Sequence, residues 1–260
     1  MLEESEARRR ILEHTAPGVV IWVPLELALG QVLAQDIVGA VDSPVFDNSG
    51  MDGYALRAAD AKKGALLRVG EIVQSAGEDL GLVCAAGEAI RIFTGAALPQ
   101  GIDAVIMQED VEREGDHIRV LDPVEPGENI RWRGSDACAG QILLRRGEIM
   151  SPTRIGLLAS QGFPEVPVYG KPLVQVVTTG DELVEPGAPL LPGEIYNSNA
   201  PMLQTAVEKA GAVGSASHAC DDPDEVRTVL AEALAVADIV VIAGGVSVGE
   251  RDFVKDALTE

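Results

Sequence analysis

The apolar positions between residues 171 and 255 alternate between two periods. Three runs rich in β-branched residues are predicted to be strands, at 173–177, 212–218 and 239–242. The two segments between them are predicted to be helices, at 201–209 and 224–234. Strands that alternate with helices of this length indicate βαβ units and a parallel sheet. The Gly- and Asp-rich strand ends are therefore expected at one edge of the sheet, where anionic ligands bind.

The pattern is different in residues 42–139, where short apolar runs alternate with Gly, Pro and Asp about every ten residues. This texture predicts a small, barrel-like β domain. A short charged helix is predicted at 2–14, and helical and extended patterns return at 154–160 and 166–169. We therefore predict three domains, which are a discontinuous linker domain (1–41 and 140–170), the inserted β domain (42–139) and an α/β domain (171–260).

Composition narrows the class of partner. The 260 residues include 20 Lys and Arg against 41 Asp and Glu, a formal net charge of −21. Such an acidic chain is a poor partner for a phosphate backbone, so we expect no nucleic-acid binding. An anionic small ligand would need local neutralisation, which a divalent cation held by carboxylates provides.

The chain has the features expected of a cytoplasmic protein. Its three Cys residues form no metal-type spacing and are expected to be free thiols in a reducing compartment. The acidic first residues lack the basic and apolar regions of a signal peptide. The most apolar window, 230–248, is interrupted by Glu232 and Asp238, so no membrane span or membrane partner is expected.

Two strand ends of the α/β domain carry acidic residues. The first strand is followed directly by Thr179, Gly180, Asp181 and Glu182. Gly permits close approach of a ligand to the backbone, and one of the two carboxylates suits Mg²⁺. The alternative for Asp181 is that it caps the next segment. The segment 221–224 (DDPD) is a common helix start that would also face the crevice.

The glycine-rich segment 244–249 (GGVSVG) has neither Walker A nor Rossmann spacing, because no Lys follows its last Gly. Successive backbone N–H groups in such a glycine-rich turn can form a concave nest that binds phosphate. The alternative is a glycine-rich turn that binds no ligand. We expect residues 178–182, 195–199, 221–222 and 244–252 to line one anion-binding crevice.

Three further segments precede the α/β domain. Residues 47–55 (DNSGMDGYA) are either a surface turn or the wall of a site. Thr94 ends a strand and is either part of a plain turn or an anion contact. Arg131, Trp132 and Arg133 suit a phosphorylated heterocycle, since Arg forks bind oxyanions and Trp stacks on flat rings; the alternative is a solvated turn with a local ion pair.

Together these motifs resemble the molybdopterin molybdotransferases, the bacterial MoeA proteins, which are similar to the E domain of gephyrin. The likeness rests on six segments in order: 47–55 (DNSGMDGYA), 93–99 (FTGAALP) with 103–109 (DAVIMQE), 129–136 (NIRWRGSD), 179–183 (TGDEL), 193–203 (GEIYNSNAPML) and 244–255 (GGVSVGERDFVK). Their order and spacing together are highly specific. The family usually has Ala where Gly50 stands.

The resemblance implies a multidomain, MoeA-like α/β plus β fold with an inserted β domain and an incomplete parallel-sheet molybdopterin-binding domain. It implies an enzyme of molybdenum cofactor biosynthesis that inserts molybdate into adenylylated molybdopterin in a Mg²⁺-dependent step and releases AMP. It also implies an elongated homodimer whose active site lies between the α/β domain of one subunit and domains of the other. A molybdopterin adenylyltransferase is a possible partner. The alternative is a non-catalytic pterin-binding or scaffold module.

The resemblance also assigns residues by motif position. It implies functional carboxylates at Asp52, Asp136, Glu182, Asp221 and Asp252, with Thr94 as a polar contact. Of these, Glu182, Asp221 and Asp252 are the predicted metal ligands. The other predicted substrate contacts are Arg131, Arg133, Thr179, Gly180, Asp181, Asn197, Ser198, Asn199, Gly244, Gly245, Ser247 and Gly249.

The resemblance implies that a Lys- and Pro-Gly-rich segment with basic active-site residues follows GGVSVG, and then a small β domain. Neither is in this sequence. Losing two charge-assisted contacts would weaken anion binding by about 3 to 6 kcal/mol. We therefore predict that these 260 residues alone release little or no AMP from adenylylated molybdopterin. Measurable AMP release by this chain would refute the prediction.

Overall fold

The computed structural model describes residues 2–245 and 253–259. The helices are α1 (Glu4–Glu13), α2 (Pro152–Ser160), α3 (Asn199–Lys209), α4 (Pro223–Val236) and α5 (Val254–Ala257), with short 3-10 turns at Leu25–Leu27, Ala58–Asp60 and Gln108–Asp110. The strands are β1 (Val20–Pro24), β2 (Ile37–Val38), β3 (Asn48–Ser49), β4 (Gly53–Leu56), β5 (Leu66–Gln74), β6 (Glu88–Ile92), β7 (Ala104–Met107), β8 (Val111–Glu114), β9 (His117–Val120), β10 (Ile130–Arg131), β11 (Ile142–Leu144), β12 (Glu165–Tyr169), β13 (Leu173–Thr179), β14 (Leu183–Val184), β15 (Ile195–Tyr196), β16 (Val213–Ala219) and β17 (Ile239–Ala243).

The chain divides into two compact units, each assembled from separate stretches of sequence. The α/β unit comprises Met1–Gln35, Arg146–Ile155 and Pro164–Glu260, and the β unit comprises Asp36–Arg145 and Gly156–Phe163. The prediction of a multidomain α/β plus β fold is confirmed. The predicted boundaries of three domains stay predictions.

The α/β unit is built on a parallel sheet with the order β16-β13-β17. The central strand β13 pairs along its whole length with β16 and over five residues with β17. Its side chains are buried on both faces, which explains the continuous apolar run that predicted it. The carboxyl ends of the three strands lie at one edge of this sheet, as the sequence predicted.

Helix α4 covers one face of that sheet. Its buried residues Val226, Leu230 and Ala233 recur at helical spacing and form one core cluster with Val177 of β13 and Val254 of α5. Their burial removes apolar surface from water, which is the main stabilising contribution to this layer.

The β unit contains a six-stranded sheet with the order β7-β4-β6-β5-β9-β8. Only three residues, Gln108–Asp110, connect the edge strands β7 and β8. Six flat strands would hold these edges about 24 Å apart, whereas the connection reaches only about 14 Å when fully extended. The sheet must therefore curl strongly, which agrees with the predicted barrel-like β domain.

Two-residue strands cross-link the segments that the sequence singled out in the β unit. Strand β3 pairs with β10, joining Asn48 to Arg131 and Ser49 to Ile130. The N–H of Gly50 donates to the carbonyl of Asn129 at 2.8 Å, and the N–H of Gly95 donates to that of Ser49 at 2.8 Å. The segments 47–55, 93–99 and 129–136 therefore lie side by side.

The observed helix α3 begins two residues before the predicted start. The buried amide Asn197 explains this, because its Oδ1 accepts a hydrogen bond from the N–H of Ala200 at 3.2 Å and satisfies a donor of the first turn. Within residues 2–245 and 253–259, no helix is both long and apolar enough to cross a bilayer.

Gly53 begins β4, where this strand pairs with Met107 of β7, and a Cβ there would be 1.9 Å from the carbonyl oxygen of Ile106. Because backbone must move to make room, Gly53→Ala is expected to lower the free energy of unfolding by about 3 kcal/mol. Gly70→Ala is the matched control in the same sheet, since a Cβ there meets nothing within 4 Å. Urea unfolding should show the control within about 0.5 kcal/mol of the parent. Equal losses in both variants would contradict the clash.

Candidate functional site

The first candidate site lies at the carboxyl ends of the parallel strands in the α/β unit. The chain runs from β13 through α3 to β16 on one side, then returns through α4 to β17 on the other. The reversal places a topological switch point between β13 and β17. Ligands of open α/β sheets bind at such points, outside the strand ends.

At the switch point, the turn after β17 lies directly on Thr179. A Cβ at Gly244 would be 2.6 Å from both the carbonyl oxygen and the Oγ1 of Thr179, and one at Gly245 would be 2.8 Å from Oγ1. Both glycines also have positive φ, 115° and 59°. Only glycine fits at these two positions, because any side chain would push the turn away from β13.

The hydroxyl of Thr179 is a buried donor without a partner among residues 2–245 and 253–259. Thr179 is 6% exposed, so water does not compensate the hydroxyl fully. An unpaired buried polar group is costly, and such groups are typical of sites that bind another molecule. This hydroxyl fits the prediction that Thr179 contacts an anion.

Acidic residues gather at the ends of β13 and β16. The N–H of Asp221 donates to Oδ1 of Asp181 at 2.9 Å, which joins the two strand-end loops. The carboxylate of Glu182 folds back over Gly180, where an added Cβ would lie 2.4 Å from one of its oxygens. Gly180 therefore makes room for the Glu182 carboxylate, and Asp181 holds Asp221 in place.

Asp222 shows that a helix start and a site residue can lie side by side. Its Oδ1 accepts hydrogen bonds from the N–H groups of Asp224 and Glu225, both at 3.0 Å, so it caps α4. Pro223 occupies the first helical position, as the sequence predicted. Because Asp222 performs the capping, the carboxylate of Asp221 is not needed for it.

The predicted contacts Asn197, Ser198 and Asn199 differ in exposure. Asn197 is 2% exposed, and its Nδ2 donates to Oγ1 of Thr178 at 2.9 Å. With its Oδ1 at the start of α3, this amide holds the loop against β13. Ser198 and Asn199 are exposed, so their side chains face solvent at the helix start. A binding role for all three stays a prediction.

The donor set in this unit suits a magnesium ion. Of the predicted ligands, Glu182 and Asp221 lie in the described residues, whereas Asp252 lies outside them, as do Ser247 and Gly249. The described part of the chain holds no group of three His, Cys, Asp or Glu side chains arranged for a metal. Mg²⁺ prefers oxygen ligands and is commonly held by one or two carboxylates together with substrate phosphates. Two carboxylates therefore fit Mg²⁺ with a phosphorylated ligand better than they fit a closed metal site.

The second candidate site lies in the β unit, around Asp52. Its Oδ1 accepts two hydrogen bonds from Thr94, one from the backbone N–H at 2.8 Å and one from the hydroxyl at 2.7 Å. The N–H contributes most, and the hydroxyl next, to lowering the pKa of the Asp52 carboxyl; the Arg91 guanidinium adds a smaller contribution. The structure thus brings together two predicted site residues and keeps an exposed carboxylate ionised.

Sequence reasoning missed Arg91 as part of this site. Arg91 lies opposite Tyr54 in the pairing of β4 with β6. Knowledge of this register would have placed Arg91 near Asp52. The guanidinium lies 5.0 Å from the Tyr54 ring centroid and 5.1 Å from that of Phe93, the residue before Thr94. Nothing in a single sequence pairs these strands, so Arg91 could not be linked to Asp52 in advance.

The two predicted oxyanion contacts, Arg131 and Arg133, each have a carboxylate partner. Arg131 Nη2 lies 2.8 Å from Oδ2 of Asp136, and Arg133 Nε lies 2.7 Å from Oδ2 of Asp42. Both guanidiniums are more than half exposed, so solvent screens each pair and neither contributes much to stability. A phosphorylated ligand that offers a bidentate contact can therefore compete for either guanidinium.

Two of the thiols have a raised pKa. Burial raises the pKa of Cys84 to about 11. Desolvation, with the nearby Glu225 carboxylate, also raises the pKa of Cys220, which lies beside Asp221. Both shifts favour the protonated thiol over the thiolate in the protein without a bound metal.

Two family descriptions match the chain. Residues 2–162 match the family described as the MoeA N-terminal region (domain I and II), and residues 175–260 match a probable molybdopterin binding domain. The chain is similar to molybdopterin molybdenumtransferase 2 of Mycobacterium tuberculosis H37Rv, with 39% identity over 99% of this chain and 65% of that protein. It is similar to the molybdopterin molybdenumtransferase of Staphylococcus aureus MSSA476, with 37% identity over 97% of this chain and 61% of that protein.

Solved structures extend the likeness to the fold. A crystal structure of the molybdopterin biosynthesis MoeA protein from Pyrococcus horikoshii superposes with a TM-score of 0.84 at 34% identity, covering 100% of this chain and 66% of that one. A second crystal structure from the same organism gives a TM-score of 0.79 at 39% identity, covering 87% and 62%. The chain thus spans slightly less than two thirds of the length of these relatives.

The Thr94 hydroxyl is expected to help keep Asp52 ionised. Thr94→Val removes this donor but keeps the backbone N–H, so the pKa of Asp52 should rise part of the way to its ordinary value in an NMR titration. Because the folded-state pKa is depressed, Asp52 stabilises the fold above its unfolded pKa, and this contribution is lost as pH falls through the folded pKa. The variant should therefore be less stable near neutral pH, with a difference that shrinks in acid.

Thr94→Ser is the matched control for this titration, because it keeps the hydroxyl. Its Asp52 pKa should stay close to that of the parent. If Thr94→Val left the Asp52 pKa unchanged, the hydroxyl contact would have no electrostatic effect.

Proposed function

Since this chain belongs to the MoeA family, we propose that it acts in molybdenum cofactor biosynthesis as part of a molybdopterin molybdotransferase. The proposed reaction inserts molybdate into adenylylated molybdopterin in a Mg²⁺-dependent step and releases AMP. The curated relatives are molybdopterin molybdenumtransferases by name, which supports this class of reaction.

The observation that carries the proposal is the close contact between Thr179 and the Gly244–Gly245 turn. This contact leaves a buried hydroxyl unpaired at the switch point of a parallel sheet. An oxyanion of the pterin phosphate or pyrophosphate would accept a hydrogen bond from this hydroxyl. The position matches the general location of phosphate sites in open α/β sheets.

The carboxylates of the α/β unit would hold the metal. Glu182 and Asp221, with Asp252 as the third predicted ligand, offer the oxygen donors that Mg²⁺ prefers. When bound, Mg²⁺ would neutralise pyrophosphate charge and stabilise the charge that develops during P–O cleavage. Asp181 supports this arrangement because its bond to the Asp221 N–H fixes the loop that carries a ligand.

The β unit would contribute ionised side chains. Asp52 is kept as a carboxylate by Thr94, so it can accept a hydrogen bond from a substrate hydroxyl or water and orient that group. Asp136 is held by Arg131, which leaves this pair suited to an exchange with a phosphorylated ligand. Arg133 is a second proposed oxyanion contact.

We propose that molybdenum is bound by the dithiolene sulfurs of the substrate rather than by protein thiols. The burial of Cys84 supports this, because only 4% of this residue is exposed and its thiol lies in the core of the β unit. A homodimer and a docked molybdopterin adenylyltransferase are the proposed protein partners, and both rest on the family resemblance.

The test is binding of adenylylated molybdopterin to the chain by calorimetry, with and without Mg²⁺. We expect Mg²⁺ to tighten binding, and Glu182→Gln or Asp221→Asn to remove about tenfold or more of that gain, the size of one lost charge-assisted contact. Glu208→Gln, an exposed change on α3, is the matched control and should retain the full Mg²⁺ effect.

The possible outcomes separate the alternatives. Equal affinity in all variants, with or without Mg²⁺, would rule out the proposed metal site. Tight binding without AMP release by any longer form of the protein would instead favour a non-catalytic pterin-binding module.

A further inference from the structure

Arg91 contacts both segments that meet at Asp52, the one that contains Tyr54 and the one that contains Phe93. Its guanidinium stacks near the rings of Tyr54 and Phe93, at 5.0 and 5.1 Å from their centroids. Tyr54 lies two residues after Asp52, and Phe93 directly precedes Thr94, the donor to Asp52. A guanidinium at this distance from a ring centroid is attracted to the negative face of the ring, so each contact is stabilising.

The same guanidinium also holds the main chain on the carboxyl side of Asp52. Arg91 Nη1 donates to the carbonyl of Gly53 at 3.2 Å, and Nη2 donates to Oε1 of Gln108 at 2.6 Å. The N–H of Gln108 in turn donates to the carbonyl of Asp52 at 3.2 Å. One side chain therefore connects the backbone of Asp52, the strand β4 that follows it and the strand β6, which ends two residues before Thr94.

We propose that Arg91 is a positioning residue for Asp52, which sets the orientation of this carboxylate by holding its flanking backbone and the Thr94 segment in one arrangement. The inference rests on the proposed function of Asp52 in the transferase reaction. Arg91 itself would act through Asp52 and would not contact the substrate.

The contacts require a planar guanidinium. Two separate nitrogens reach two acceptors while the flat face meets the aromatic rings, a combination that Arg provides and Lys does not. Lys at this position would keep the positive charge but lose one of the two hydrogen bonds. The Lys variant therefore separates charge from positioning.

The electrostatic surroundings of Asp52 agree with this role. Two further charged residues, Glu109 and Asp110, follow Gln108, whose N–H donates to the carbonyl of Asp52, and Arg131 lies beside Gly50, two residues before Asp52. Arg91 also lowers the pKa of the Asp52 carboxyl, after the two contributions of Thr94. Removing the guanidinium should therefore move the pKa of Asp52 upward.

The experiment compares Arg91→Gln and Arg91→Lys with the parent in the longest natural form of the protein that contains these residues. We expect Arg91→Gln to lower kcat roughly tenfold with little change in KM, the lower end for outer partners of a site. Its acid limb in the pH profile and the NMR pKa of Asp52 should both shift upward. Arg91→Lys should restore the pKa but only part of kcat.

Two control variants distinguish a positioning role of Arg91 from other effects. Arg68→Gln removes a guanidinium from the neighbouring strand β5, where it pairs with Glu88 at 3.6 Å, and should leave kcat and the Asp52 pKa unchanged. Asp52→Asn tests the underlying assignment, because full activity in that variant would overturn the proposed role of Asp52 itself. If Asp52→Asn is inactive while Arg91→Gln keeps both parental kcat and parental Asp52 pKa, the positioning role is wrong.

Discussion

The α/β unit depends on the close approach of two backbones, where the Gly244–Gly245 turn lies on Thr179. The last pairing of β17 with β13 joins Ala243 to Thr178, so the turn begins as soon as the sheet ends. With glycine at both positions, the turn can stay against β13 and bury the Thr179 hydroxyl. A side chain at either position would separate the strand ends and expose the site to water.

The sequence predicted the parts of the fold that carry long, strong periodicity. Strand β13 and helix α4 were predicted within two residues at their ends, because one is buried on both faces and the other has a clear apolar stripe. The two-residue strands β14 and β15 were not predicted, since so short a segment is defined only by its partner. The early start of α3 depends on Asn197, whose role requires the folded loop.

The same distinction applies to the candidate sites. Thr179, Glu182 and Asp221 could be proposed from the sequence because each lies at the end of a strand or the start of a helix that the sequence predicts. Asp52 was assigned by motif, and its contact with Thr94 joins residues 42 positions apart. Arg91 was missed because its link to Asp52 passes through strand register, two rings and Gln108, none of which is visible along the chain.

The acidic composition shapes how the few cations are used. In the described residues, Arg131 and Arg133 each form an ion pair with an aspartate, so these exposed positive charges are already paired.

The pKa of Asp52 is lowered both by hydrogen bonds and by a nearby charge, and the two effects differ in their sensitivity to ionic strength. Because Asp52 is exposed, the Coulombic influence of Arg91 is screened by dissolved ions, whereas the direct bonds from Thr94 persist. At high ionic strength, the two hydrogen bonds from Thr94 therefore remain as the main cause of the lowered pKa of this carboxyl.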